Sequence, residues 1–377
     1  MLRLSMASVG EEELQALKKV LFETVNFGLG VHVKEFEDEI KKFLNHKELE
    51  VVCVNTGTSA LHLALESLSF PVGSEVLVPS LTFLASYSAI SAAGLKPVSC
   101  EVTFPDCHID VHDMEKRITE KTVAIMPVAY AGCDFDRKNL YEIANKHKLR
   151  VIEDDAHAFG SLNHDAVLFG ASGDVVCFSF DGIKNITCGE GGAIVTKDKD
   201  LAHKIRVRRS LGIEKDVELR YQGTRAWDYD VSVQGFRYHM SNLNAVIGSE
   251  QLKKLGKFQI KKQKLLEAYL ETINSLALTD FLIPTQKAKT SDILHIFSCV
   301  LPEGLDRVKF RSVMSAAGFE TGIHYPPNHL HTYYKTDYSL PVCENLGSRL
   351  VSFPFHPAVP LSLIPRMMQK AKEAMSI

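Results

Sequence analysis

Between residues 49 and 196 short apolar runs alternate with amphipathic stretches, and this alternation most constrains the fold. Runs at 49–54, 75–78, 96–101, 122–128, 150–153, 175–178 and 193–196 have strand length and strand composition. Helical stretches stand between them, ALHLALESL after Asn55-Thr56-Gly57-Thr58-Ser59 and residues 140–148 among them. Strands joined through helices pair in parallel and need cover on both faces, so the pattern predicts an α/β fold with a mostly parallel, doubly covered sheet. Ahead of it, 11–23 and 33–44 read as amphipathic helices, with Phe36, Ile40 and Phe43 on one face of the second. After it come a helix from Asp198, a long irregular polar stretch at 212–235, and helices at 241–255 and 258–275. The composition shifts at 285–291, and the remaining chain alternates strand and helix again. The expected organisation is a large α/β unit over 1–255 and a smaller α+β unit over 256–377.

Bulk composition narrows the function. The chain of 377 residues carries 43 Lys and Arg against 46 Asp and Glu, a net charge of −3, without the basic excess of a nucleic-acid binder. No apolar run is long enough for a membrane span, and the amino-terminal stretch MLRLSMASVGEEE lacks the apolar core of a signal peptide. The eight cysteines include no CxxC pair and read as reduced core thiols of a cytoplasmic protein, with no metal site expected.

Three strand exits carry groups that chemistry uses. After the run at 175–178, Lys184 stands between Gly182 and the turn Gly189-Glu190-Gly191-Gly192. A lysine that snorkels from an ordinary turn has that appearance, and so does a desolvated amine poised to form a Schiff base. Residues 55–59 form a strand–glycine–helix junction where Thr58 and Ser59 either cap the helix or help its free N–H groups hold a phosphate. The strand at 150–153 ends in Glu153-Asp154-Asp155-Ala156-His157, a solvated acidic turn or the ligand edge of an open sheet. Phe83, at a fourth exit, suits core packing or the face of a flat ring. One ligand, pyridoxal phosphate, needs all of these together: an amine, a carboxylate beside its ring nitrogen, an aromatic cover and a phosphate cradle.

The same pieces, in order, resemble the DegT/StrS-type sugar aminotransferases of the aspartate-aminotransferase fold (PLP fold type I). The resemblance runs through GLGVHVKEFE, TGTSALHLAL, PSLTF, EDDAHAFG, SFDGIKNITCGEGG, GFRYHMSNLNAVIGSEQL, HYPPNHLHTYY and SFPFHP, nearly the whole chain. It implies a pyridoxal 5'-phosphate enzyme in which Lys184 is the Schiff-base lysine and proton carrier. Asp154 would be the pyridinium partner, His157 the ring-hydroxyl partner and Phe83 the stacking aromatic, with Thr58, Ser59 and Ser179 as phosphate ligands. It also implies a homodimer with shared active sites, in which the 235–240 segment reaches the neighbour's cofactor phosphate. Two positions depart from the family: Arg237 stands where an Asn is usual, and Asp155 where a small residue is usual. A carboxylate there needs solvent or a cationic partner. The implied reaction is ping-pong amino transfer, with glutamate as donor and a nucleotide-linked keto-deoxy-sugar as acceptor, in amino-sugar, polysaccharide or O-antigen biosynthesis. The residues at 28–37 are more similar to members acting on 4-keto than on 3-keto sugars. Arg220, Arg225, His324, Tyr325 and His329 are the candidate substrate contacts. Dehydratases of this fold carry a histidine at the lysine position, so Lys184 argues against that alternative. An intact lysine likewise argues against a purely regulatory member.

Overall fold

The computed structural model describes residues 1–23, 26–222, 224, 226–285 and 292–376. Among them, seven strands form one sheet: β1 (Glu50–Val54), β2 (Glu75–Pro79), β3 (Lys96–Cys100), β4 (Thr122–Ile125), β5 (Arg150–Asp154), β6 (Val175–Ser179) and β7 (Gly192–Thr196). Their order is β1-β7-β6-β5-β4-β2-β3, parallel from β3 through β6. Only β7 runs against its neighbours, β6 and β1, because the glycine turn after Lys184 sends the chain straight back without a helix.

Alternate residues of β1 and β7 enter two different cores, as the two-residue side-chain period requires. Val52 and Val54 of β1 and Ile194 of β7 pack with α3 (Gly57–Leu68) and α4 (Leu84–Ala92) on one face. Val51, Cys53, Ala193 and Val195 pack on the other with Phe36 and Ile40 of a helix at Val31–Phe43. Burial on both sides explains why β6 and β7 are apolar without alternation.

The expected helices at 241–255 and 258–275 are one helix, Asn242–Ser275. Gly256 does not break it: a side chain there would meet nothing within 4 Å, so the position faces open space, and the buried stripe continues through Leu255, Phe258, Lys262, Leu265 and Tyr269. A glycine in a helix interior costs only about 1 kcal/mol, which that burial exceeds. The second half of this long helix joins the core of the carboxyl-terminal unit. There β8 (Phe297–Val300) and β9 (Leu350–Phe353) pair antiparallel, and helices at Arg307–Ala316 and Ile364–Met375 cover them. The amino terminus belongs to the same unit: Leu2 pairs with Phe319. The compositional shift at 285–291 lies, from 286 onward, outside the described residues. No helix among the described residues is long and apolar enough to cross a membrane.

A buried ionic node ties the helix at Val31–Phe43 to β1 and to the helix at Lys199–Arg209. Arg209, 1% exposed, donates from Nη1 to Glu37 Oε1 at 2.7 Å and to the Cys53 carbonyl at 2.6 Å. Tyr221 donates to Glu37 Oε2 at 2.7 Å, and the Cys53 amide to Oε1 at 2.8 Å. Removing one member strands a charge in the core, so Glu37→Leu should cost about 3–5 kcal/mol. The double variant Glu37→Leu/Arg209→Met should cost less, as urea unfolding of the three proteins will measure.

Candidate active site

The carboxyl ends of β5 and β6, the amino end of α3 and the turn before α4 surround a cavity of about 460 Å³. Sheet register builds its floor. Gly192 of β7 stands between Val54 of β1 and Ser179 of β6, and Asp154 pairs with Cys177. The first turn of α3 then lies directly on these ends. A Cβ on Gly57 would meet Ser179 Cβ at 2.6 Å, and one on Gly192 would meet the Thr56 carbonyl oxygen at 2.5 Å. Glycine at both positions is therefore a steric necessity.

The cap of α3 is Thr56, whose Oγ1 accepts from the Ser59 amide at 3.0 Å and lies 2.8 Å from Ser59 Oγ. Ser59 is thereby turned into the cap and does not line the cavity, whereas Thr58, exposed in the first turn, does. Ser179, nearly buried, also lines it, and its Oγ accepts from the Asp181 amide at 3.4 Å. The helix start directs its unpaired amides at this corner, a ready anion site.

Asp154 is buried, with Oδ2 accepting from Ser86 Oγ at 2.7 Å and Oδ1 from the Ala156 amide at 3.2 Å. Burial pushes its carboxyl above the ordinary value, opposed by those two donors and by the charge of Lys184. Lys184 lines the same cavity. Its Nζ has no hydrogen-bond acceptor among the described residues, and burial lowers its proton affinity against the pull of Asp154 and Asp181. The loop that carries it is held by Asn185, whose Nδ2 donates to the carbonyls of His157, Phe159 and Ile293 at 3.2, 3.1 and 2.9 Å.

His157 accepts at Nδ1 from the Ala131 amide at 3.2 Å, which leaves Nε2 as the protonated nitrogen; it donates to Tyr325 Oη at 2.9 Å. Burial, reinforced by Lys184, drives this ring well below its ordinary value, so it stays neutral. Phe83 is 56% exposed and lines the opening, its ring 5.6 Å from that of Tyr325. His324 and Tyr325 thus enter the cavity, as do His295, Asp181 and Glu190, which sequence reasoning missed.

Arg220, His329 and Arg237 lie elsewhere. Arg220 is committed to Asp216, donating from Nε at 2.9 Å and Nη2 at 2.7 Å. His329, 2% exposed, bridges Ser80 Oγ at 2.6 Å and Glu344 Oε1 at 3.2 Å, pinning the turn after β2 to the carboxyl-terminal unit. Arg237 is exposed and does not line the cavity of its own chain. Arg225 lies outside the described residues. Ser86 and Asn185 gave no sequence signal, being single polar residues whose partners are 68 and up to 108 positions away.

Asp155 points to the opposite face of β5 from Asp154, beside Glu153. It is fully buried, and neither carboxylate oxygen has a hydrogen-bond partner among the described residues. The cation expected for it is Arg137, whose Nη1 is bound to Glu153 Oε1 at 2.5 Å and which aids Asp155 only through its charge. Burial and the Glu153 charge hold the Asp155 carboxyl well above the ordinary range. A raised carboxyl keeps its proton longer in the folded than in the unfolded chain. Stability is therefore lost as pH climbs from the unfolded value of about 3.9 through the folded one. Asp155→Asn should accordingly melt higher than the parent, with a gap that widens from pH 5 to pH 8; a gap constant with pH would count against a titrating Asp155.

A profile of the DegT/DnrJ/EryC1/StrS aminotransferase family matches residues 7–371. Bacillus subtilis SpsC, a spore coat polysaccharide biosynthesis protein, is 30% identical over 364 residues, covering 94% of this chain and 92% of its own. Among solved structures, Helicobacter pylori PseC, an aminotransferase involved in the biosynthesis of pseudoaminic acid, superposes with a TM-score of 0.92. It is 23% identical, with 100% of this chain and 99% of PseC covered. NtdA from Bacillus subtilis, solved with bound cofactor PMP, gives a TM-score of 0.85 at 25% identity, covering 98% of this chain and 83% of NtdA.

Proposed function

We propose, for a chain that belongs to the DegT/DnrJ/EryC1/StrS aminotransferase family and is thus a pyridoxal-phosphate-dependent sugar aminotransferase, that L-glutamate is the amino donor and a nucleotide-linked 4-keto-deoxy-sugar the acceptor. The observation that carries the reading is Lys184, an amine without an acceptor among the described residues, sharing one cavity with the buried carboxylate of Asp154. The sugar class is supported by what SpsC and PseC are named for. The donor and the 4-keto position rest on the resemblance of the sequence, the latter on residues 28–37.

The residues present fit pyridoxal phosphate. The cavity has a lysine amine with no competing partner among the described residues, a carboxylate already shielded from water, and a helix start that glycine lets approach Ser179. When bound, the cofactor supplies a carbonyl to take up the amine and a ring to accept electrons from the substrate carbon. Lys184 would hold it and move the proton through Nζ. Asp154, oriented by Ser86 and the Ala156 amide, would keep the ring nitrogen protonated. Thr58 and Ser179, with the α3 amides, would hold the phosphate, and Ser59 would serve it through the cap. Phe83 would cover a ring face. His157 would partner the ring hydroxyl, sharing its Nε2–H with Tyr325.

The reading includes a homodimer. Arg237, exposed on its own chain, would reach the neighbour's cofactor phosphate, where a guanidinium binds at least as firmly as the usual amide. His324 and Tyr325 would meet the sugar. Arg220 and Arg225 are the proposed cations for its diphosphate, although Arg220 would first have to leave Asp216. His329 would act as the tether described above. A cytoplasmic setting is supported by eight free cysteines.

Absorbance tests the reading directly. The purified protein loaded with pyridoxal phosphate should show a visible band that L-glutamate removes and the correct 4-keto nucleotide sugar restores. Lys184→Ala should lack the band and lose transfer by about a thousandfold or more. Transfer retained in that variant would overturn the role of Lys184. A band restored only by a 3-keto sugar would overturn the 4-keto assignment.

A further inference from the structure

Strands β8 and β9 are buried throughout, yet each carries one serine, and their register sets Ser298 directly opposite Ser352. Phe297, Cys299, Val351 and Phe353 fill the core of the carboxyl-terminal unit, so by strand alternation the two serines face the other way, towards Tyr130 of the large unit. Both are fully buried, and their hydroxyl oxygens lie 2.7 Å apart. The backbone of Gly322 exchanges hydrogen bonds with Ser352 in both directions at 2.9 Å, which lays the segment leading to His324 along β9. His324 Nδ1 thereby stands 2.7 Å from Ser352 Oγ, while its ring lines the active-site cavity with Lys184. At the other end Ser298 Oγ lies 3.5 Å from Tyr130 Oη, and Tyr130 donates to the His324 carbonyl at 2.5 Å. Three hydroxyls thus form a chain that begins and ends on His324.

The chain has a direction. A carbonyl only accepts, so the phenol proton is committed to it and Tyr130 Oη is the acceptor in its contact with Ser298. The Ser298 hydroxyl then donates to Tyr130, Ser352 donates to Ser298, and His324 donates from Nδ1 to Ser352. Run the other way, neither the phenol oxygen nor Ser298 Oγ would receive a proton from any described residue. Burial first, and Lys184 second, push the His324 ring down to about 4, so near neutral pH it has one N–H and one lone pair. We propose that Ser352 and Ser298 are positioning residues for His324: they hold the ring proton on Nδ1, so that Nε2 meets the sugar as an acceptor for one of its hydroxyls. The hydrogen bond at one ring nitrogen fixes what the other can do. A keto oxygen only accepts and finds no donor at such a nitrogen, whereas a hydroxyl does donate to it. The sugar therefore enters with a hydroxyl turned to His324 and its keto oxygen turned away. The sugar contact rests on the proposed function, while the place of the ring proton rests on the hydrogen bonds alone.

The test starts from the full-length, cofactor-free protein with isotope-labelled histidine rings, whose protonated and bare nitrogens nuclear magnetic resonance distinguishes. The signal lost in His324→Gln identifies His324. The parent should carry the ring proton on Nδ1, and Ser352→Ala should move it to Nε2. A parent with the proton on Nε2, or a Ser352→Ala spectrum like that of the parent, would overturn the proposal. Should Ser352→Ala not fold, Ser298→Ala decides in the same way, because it frees the Ser352 hydroxyl to donate to Nδ1. This readout needs neither cofactor nor substrate, so it separates failure of the relay from failure of the functional reading. In the holoenzyme, Ser352→Ala should raise KM for the keto-sugar about tenfold, the worth of one hydrogen bond, and leave the rate at which L-glutamate removes the visible band as it was. Equal losses with both substrates, or no change in the KM for the sugar, would overturn the sugar contact.

Discussion

The contact on which the site depends is the seating of the α3 amino terminus against the ends of β6 and β7. Two glycines, Gly57 and Gly192, permit it, because a single methyl at either would overlap Ser179 or the Thr56 carbonyl. With that seat in place, the helix dipole, Thr58 and Ser179 converge on one corner, and the lysine loop that follows β6 leaves the sheet beside it. With a bulkier residue the helix would lift, and the anion corner and the lysine would separate. Backbone proximity, which no side chain could supply, therefore sets the geometry of the chemistry.

Charge is sorted by the pleat of one strand. Asp154 faces the cavity and is supplied with two donors, while Glu153 and Asp155 face the opposite core and compete there for Arg137. Three consecutive acids thus have three different fates, and only the middle one is chemically available. The histidines follow a related logic. Packed around the lysines, they are held neutral by burial, so they donate and accept without adding charge.

The central strands β6 and β7 were legible because each is buried on both faces, a signal that survives in a single sequence. That Lys184, Asp154, Thr58 and Phe83 share one cavity was legible because strand exits in such sheets are where ligands bind. What escaped the sequence was pairing at long range. Arg220 reads as a free cation until Asp216 is seen beside it, and His329 as a ligand until Ser80 and Glu344 are found on its two nitrogens. Thr56 rather than Thr58 or Ser59 takes the cap, a shift of two or three residues in helix start that pattern does not resolve. The long helix was divided at Gly256 because an isolated glycine weakens the helical pattern, although burial around it carries the helix through.

The amino-terminal strand of coil gives the fold an unusual order of completion. Leu2 exchanges backbone hydrogen bonds with the segment at Gly318 and Glu320, and the Phe355 amide donates to the Leu4 carbonyl. Leu4, Ser5, Met6 and Ser8 also help to wall a small cavity that Lys184 and Lys262 both line. In order of synthesis these residues precede their partners by more than 300 positions. The wall of that cavity can therefore close only after the strand pair of the carboxyl-terminal unit has been made, well after the strands of the large sheet.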